Sequence, residues 1–123
     1  NKIDRAKHCI VYRVAELTLN HSVDLSRYHK QFQVKTNDLE FTAISVPGVF
    51  NHGALDVGTA VLLNNAPRIN KGKVLDFACG AGVIATYLGL KQPELEFVCS
   101  DVSALATYAT EQTLALNNLK GEA

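Results

Sequence analysis

The chain has 123 residues, of which 47% are hydrophobic and 20% charged, and its formal net charge is zero. This length and balance are typical of one globular domain with a sizeable core and exclude a disordered chain. No apolar run approaches the roughly 20 residues of a membrane span, and we expect neither a signal peptide nor a basic stripe for nucleic acid. Three cysteines without paired spacing indicate a reducing compartment, so we expect a soluble cytoplasmic protein.

The ends of the sequence predict a piece of a longer protein. The first residue is Asn1 and the chain contains no methionine. Its last residues, LKGEA, are of the kind that lead into a further strand, and we expect a third parallel strand after Gly121.

The first half of the chain predicts a strand, a hairpin and a helix. Residues 8–17 are apolar and β-branched enough for a strand, and residues 18–27 are interpreted as a polar linker. Residues 28–46 alternate around Thr36-Asn37-Asp38, which indicates a β-hairpin. Residues 54–66 predict a helix.

That helix is expected to begin at Asp56, an acceptable N-cap residue, and to end before Pro67. Leu55, Val61 and Leu62 would lie near one face, and we expect this face to be buried.

The second half alternates between strands and helices. Strands are predicted at 73–79 and 95–100, and helices at 82–91 and 103–117, the last one capped by Ser103. This order predicts an α/β fold with parallel strands and right-handed crossovers, that is, a partial doubly wound Rossmann-like sheet preceded by a β-hairpin.

The strand at 73–79 is apolar on both faces, as is typical of a central strand covered by helices. One edge of this strand has no predicted partner in the chain. Either the hairpin covers that edge or sequence further along does, and we favour the second.

The turn after this strand predicts a nucleotide-like ligand, and two kinds are compatible with its spacing. Gly80, Gly82 and Ala85 match the pattern G-x-G-x-x-G/A, and Asp101 follows Gly80 by 21 residues. This spacing fits a dinucleotide, with Asp101 on the ribose hydroxyls. S-adenosylmethionine would use the same acid and the same close approach of the backbone.

Asp76 favours S-adenosylmethionine. It lies four residues before Gly80, near the carboxyl end of the strand, where a carboxylate would repel a pyrophosphate and attract a sulfonium and an ammonium group. The remaining alternative is structural: Asp76 pairs locally and the glycines only tighten a turn.

Three segments then indicate a family. The stretches VPGVFNHGALDVGTAVLL, GKVLDFACGAGVIA and CSDVSALATYATEQTLALN resemble the bacterial small-subunit ribosomal RNA guanine-N2 methyltransferases, which are class I S-adenosylmethionine-dependent enzymes. Members of that family carry two tandem halves, of which the second binds the cofactor. The resemblance implies that residues 1–27 are the tail of a preceding domain with a linker, and that residues 28–123 are the N-terminal part of the cofactor-binding domain.

The resemblance also implies the cofactor-binding residues, by position in this sequence. They are Phe50, Thr59, Asp76, Ala78, Gly80, Gly82, Asp101 and Val102. Ala78 stands where the widest class pattern has glycine, and we expect this single methyl group to be tolerated.

The implied function is methyl transfer to the exocyclic N2 of a guanine, with ribosomal RNA or the small ribosomal subunit as the partner. The family's catalytic motif, Asn-Pro-Pro followed by an aromatic residue, does not occur in this sequence. We therefore expect this segment to supply a cofactor half-site and to be inactive alone, with no catalytic residue assigned. The alternatives are an NAD-dependent oxidoreductase and a non-catalytic methyltransferase-like module.

No metal site and no membrane contact are expected. Cys79 and Cys99 lack metal-ligand spacing and are interpreted as small buried residues. His52 is interpreted as a polar wall of the pocket rather than a general base.

Overall fold

The computed structural model describes residues 2–6, 9–12 and 22–123, with only the backbone described before residue 22. In order, the elements of the chain are β1 (Lys2–Ala6), β2 (Cys9–Tyr12), a 3₁₀ helix (Leu25–Tyr28), β3 (Lys30–Lys35), β4 (Glu40–Ser45), α1 (Val57–Asn64), β5 (Gly72–Phe77), α2 (Val83–Lys91), β6 (Leu95–Ser100) and α3 (Ala104–Leu116).

The start of the chain forms an antiparallel pair, in which β1 pairs with β2. The strand predicted at 8–17 is confirmed over Cys9–Tyr12, and its remaining residues lie outside the described part of the chain. The polar sequence of β1 had not been interpreted as a strand. A 3₁₀ helix begins in the predicted linker and ends at Tyr28, one residue after it; its cap is Asp24, whose carboxylate accepts the Ser26 N–H at 3.1 Å.

The predicted hairpin is confirmed, since β3 and β4 pair in register from Lys30↔Ser45 to Lys35↔Glu40. Its turn is held by Thr36, whose N–H donates to the Leu39 carbonyl at 2.9 Å and whose hydroxyl accepts the Leu39 N–H at 3.1 Å.

In the described residues the outer edge of β4 bonds to side chains of α3 and of its C-cap residue rather than to another strand. The Thr113 hydroxyl accepts the Ile44 N–H at 2.9 Å, and the Asn117 amide donates to the Thr42 carbonyl at 2.8 Å. Buried strand edges need such partners because an unpaired backbone group is costly. The hairpin is therefore a separate two-stranded sheet, and the idea that it covers the free edge of β5 is wrong.

The parallel sheet consists of β5 and β6, which pair from Gly72↔Leu95 to Phe77↔Ser100. A parallel bridge between Val98 and Glu122 adds the beginning of the predicted third strand on the far side of β6. In the described part of the chain α2 and α3 cover one face of this sheet, with Phe97 and Cys99 beneath them, while Leu75, Phe77 and Val98 on the other face are exposed. Helices were predicted to cover both faces of this sheet, but among the described residues they cover one face.

The buried face of α1 differs from the predicted one. In α1 the buried residue is Leu63, at 1% exposure, whereas Leu62 is 48% exposed and Val61 is exposed as well. In α3 the residues that pack inward are mainly small or threonine, and Leu116 is exposed. Ser103 occupies the N-cap position of α3 as predicted, but its side chain makes no capping hydrogen bond.

Candidate functional site

A cavity of about 370 Å³ opens where β5 and β6 end, next to the loop that enters α1. Carboxyl ends of parallel strands are the usual ligand sites of such sheets, and this volume lies in the usual range for small-molecule pockets. The lining residues are Phe32, Gly48, Val49, Phe50, Asn51, Ala54, Leu55, Asp56, Thr59, Ala78, Cys79, Gly80, Ala81, Val83, Ile84, Asp101, Ser103 and Ala106.

The turn between β5 and α2 forms the floor of the cavity and is built from left-handed residues. Ala78, Gly80 and Gly82 have φ angles of 62°, 57° and 72°. The Cys79 N–H donates to the Ser100 carbonyl at 3.1 Å, so the parallel pairing continues into the turn. Ala78 adopts the left-handed conformation although it carries a Cβ, which costs roughly 1–2 kcal/mol.

The two glycines of this turn have different surroundings. A Cβ at Gly80 would meet nothing within 4 Å, while a Cβ at Gly82 would lie 3.0 Å from Cα and Cγ2 of Thr110. Gly80 therefore leaves room beside the cavity, and Gly82 permits close packing of α2 against α3.

Asp101 connects the end of β6 to the glycine turn. One carboxylate oxygen accepts the Gly80 N–H at 3.1 Å, and the other accepts the Ser103 N–H at 2.9 Å. Both bonds fix the carboxylate at the wall of the cavity, where its remaining lone pairs can accept hydroxyl donors.

Asp76 is not among the residues that line the cavity. It lies on the covered face of β5, is 5% exposed, and accepts the Ala85 N–H at 3.1 Å within the first turn of α2. Burial raises the pKa of this carboxyl above 3.8; the Ala85 bond opposes that rise and the nearby Asp101 charge adds to it. Asp76 is therefore a local partner for the N-terminus of α2, which is the structural alternative given in the sequence analysis.

The other wall of the cavity comes from the loop before α1. Asp56 caps that helix, because its carboxylate accepts the Thr59 N–H at 3.0 Å. Phe50 lies at the rim and is mostly exposed. His52, two residues later, does not line the cavity; its Nδ1 lies 3.0 Å from the Ser45 hydroxyl, which joins the loop to the end of β4.

Five of the eight residues predicted to bind cofactor line this one cavity: Phe50, Thr59, Ala78, Gly80 and Asp101. Asp76, Gly82 and Val102 do not. Sequence reasoning missed Asn51 and Ser103, and it treated Asp56 only as a helix cap. The position of Asp56 directly after the loop that carries Phe50 is the signal that could have added it.

The cysteines of the site are buried thiols. Cys79 lines the cavity, and the Thr110 hydroxyl lies 3.2 Å from its sulfur. Burial raises the pKa of Cys79, and burial with the nearby Asp76 charge raises the pKa of Cys99 to about 12, so neither is a ready nucleophile. Within residues 22–123 no group of three or more His, Cys, Asp or Glu side chains could hold a metal ion. None of the described helices is long and apolar enough to cross a membrane.

Known proteins resemble this chain over most of its length. The profile of the methyltransferase small domain family matches residues 40–123. A "Ribosomal RNA small subunit methyltransferase C" of Pseudoalteromonas translucida is 68% identical over 123 residues, and that of Pseudoalteromonas atlantica is 43% identical over 122 residues. The alignments cover 100% and 99% of this chain, and in each case it spans 36% of the relative's length.

One solved structure has the same fold. It is described as T. thermophilus 16S rRNA N2 G1207 methyltransferase (RsmC) in complex with AdoMet and guanosine, and it matches with a TM-score of 0.63 and 26% identity over 78% of this chain and 27% of that chain. The Rossmann-like class I methyltransferase fold predicted from the sequence is confirmed by this match and by the family profile. The chain belongs to the methyltransferase small domain family.

Proposed function

We propose that the cavity binds S-adenosylmethionine and that the parent protein methylates the N2 of a guanine in small-subunit ribosomal RNA. The charge of the cavity carries the cofactor proposal. Among the described residues that line it, the charged side chains are Asp56 and Asp101, and no lysine or arginine is present. Such a wall attracts the sulfonium and ammonium groups of the methyl donor.

The same charges disfavour a dinucleotide. Pyrophosphates bind at the free N–H groups of a helix N-terminus. Here Asp76 accepts the Ala85 N–H in the first turn of α2, and Asp101 accepts the Gly80 N–H in the turn before it, so one helix N-terminal donor and one donor of the glycine turn already meet carboxylates. Although Asp76 does not line the cavity, its charge at the start of α2 supports the same preference.

The residues of the cavity fit the methyl donor. Asp101 is proposed to accept the ribose hydroxyls, and Ala78 and Gly80 to let the backbone approach the ligand. Thr59 and Phe50 line the side of the cavity that the loop and α1 form. Gly82 and Asp76 are proposed to shape the turn from behind, and Val102, which follows Asp101, to lie at the adenine edge.

When bound, S-adenosylmethionine supplies an electrophilic methyl group. The residues that line the cavity would orient this ligand, and orientation is the main contribution that a methyl-transfer site makes. The names of the relatives support ribosomal RNA as substrate and the small subunit as partner. We also propose that residues 28–123 are the N-terminal part of the cofactor-binding domain and that residues 1–27 are the tail of a preceding domain with a linker.

Thermal unfolding of the chain with S-adenosylhomocysteine or NAD tests the cofactor proposal. A ligand at about 100 times its dissociation constant stabilises the folded state by roughly 2.7 kcal/mol, which raises the midpoint by several degrees in a domain of this size. We expect a rise with S-adenosylhomocysteine only, and a smaller rise for Asp101→Asn. A rise with NAD alone would contradict the proposal.

A further inference from the structure

Phe50 presents an aromatic ring at the rim of the cavity. It lines the cavity but is 80% exposed, whereas the preceding Val49 is 5% exposed and belongs to the core. Phenylalanine is usually among the most buried residues. An exposed ring at the edge of a ligand cavity therefore offers a large apolar surface to a second molecule.

The backbone around Phe50 is held in place on both sides. Val49 packs into the core, and its N–H donates to the Val46 carbonyl at 3.2 Å. On the other side the Asn51 amide donates to the carbonyl of residue 54 at 3.2 Å, and His52 bonds to the end of β4. The ring is thus presented by a fixed loop, which lowers the entropy lost on binding.

We infer that Phe50 stacks on the target base and holds it beside the methyl donor. Unstacked bases bind to aromatic side chains through their flat faces. The carboxylates of Asp56 and Asp101 in the same cavity would repel the phosphate backbone, so the group presented here is the base. The inference rests on the proposed function and assigns Phe50 to the substrate side of the site as well as to the cofactor rim.

The chain contains a matched control in Phe77. Its exposure is also 80%, but it lies on the bare face of the sheet and does not line the cavity. A general effect of losing an exposed ring would appear in both Phe50→Leu and Phe77→Leu, while stacking at the site would appear only in the first.

The experiment titrates the 123-residue chain into 2-aminopurine riboside, whose fluorescence is quenched when its base stacks, in the presence of saturating S-adenosylhomocysteine. We expect quenching with the wild-type chain, a dissociation constant roughly tenfold larger with Phe50→Leu, and wild-type values with Phe77→Leu. Phe50→Tyr should restore quenching, because it restores an aromatic face. Calorimetry gives the affinity of each variant for S-adenosylhomocysteine, so that every titration is carried out at saturation.

Two results would overturn the assignment. They are no quenching by the wild-type chain, and equal quenching by wild type and Phe50→Leu. A wild-type chain that does not bind S-adenosylhomocysteine would instead overturn the proposed function itself, so the two failures are distinguishable.

Discussion

Substitution of each glycine in the turn after β5 should separate folding from ligand binding. Alanine at either position must keep a left-handed backbone, which costs roughly 1–2 kcal/mol. At Gly82 the new Cβ would also lie 3.0 Å from the backbone Cα of Thr110, which cannot move away cheaply. Overpacking of this kind adds about 1–3 kcal/mol. Gly82→Ala should therefore lose about 3 kcal/mol of unfolding free energy, and Gly80→Ala about 1 kcal/mol.

Thermal unfolding and calorimetry measure the two effects. In a domain of this size 1 kcal/mol shifts Tm by about 3–5 °C, so we expect decreases of about 10 °C for Gly82→Ala and about 4 °C for Gly80→Ala. S-adenosylhomocysteine should bind at least about tenfold more weakly to Gly80→Ala, because the added methyl group occupies space beside the cavity. Equal destabilisation by the two substitutions, or full affinity in Gly80→Ala, would refute the division of roles.

Two further predictions concern burial. Burial raises the pKa of Asp76 above 3.8, so the folded chain holds this proton more tightly than the unfolded one, and stability should fall as pH rises from about 3.8 through the raised pKa. In the Asp76→Asn variant the free energy of unfolding, measured with denaturant, should decrease less between about pH 4 and pH 8 than in the wild type. An equal decrease in both proteins would mean that other groups titrate. Leu63→Ala should cost about 2–5 kcal/mol and Leu62→Ala, at the more exposed neighbour, less than about 1 kcal/mol, and the reverse order would contradict the packing of α1.

The order of elements could be predicted because its signals are local. The Thr36 hydroxyl bonds to Asp38 and to the Leu39 backbone within the turn, and β6 coincides with the predicted strand at 95–100. A cap such as Asp56 is likewise a contact between neighbours in sequence. The bonds within the turn and the cap join residues that are close in sequence.

The buried face of α1 could not be predicted, because it depends on distant partners. The stripe expected in α1 counted large apolar residues, but the position of α1 against its neighbours buries Leu63 instead of Val61 and Leu62. In α3 the inward face carries Thr113 because the edge of β4 needs hydrogen-bond partners. The apolar pattern of the sequence does not show that the edge of β4 needs hydrogen-bond partners.

Most of the residues predicted from the sequence to bind cofactor line the cavity, but the geometry of the site was predicted less well. Alternation along β5 places Asp76 on one face of the sheet, but only the crossovers decide that α2 covers this face and that the carboxylate meets the Ala85 N–H. The carboxylate of Asp56 joins the cavity because the loop before α1 folds back over the sheet ends. Sequence spacing does not show this approach.

The central claim is that the cavity at the ends of β5 and β6 binds the methyl donor, and amide NMR spectra test it most directly. Spectra of the labelled chain would be recorded with S-adenosylhomocysteine and, separately, with NAD. We expect shifts with S-adenosylhomocysteine at the amides of Thr59, Gly80 and Ser103, and none at Gln92, which lies at the opposite end of α2. Unchanged amides at Gly80 and Ser103 with a saturating ligand, or the same shifts with NAD alone, would contradict it.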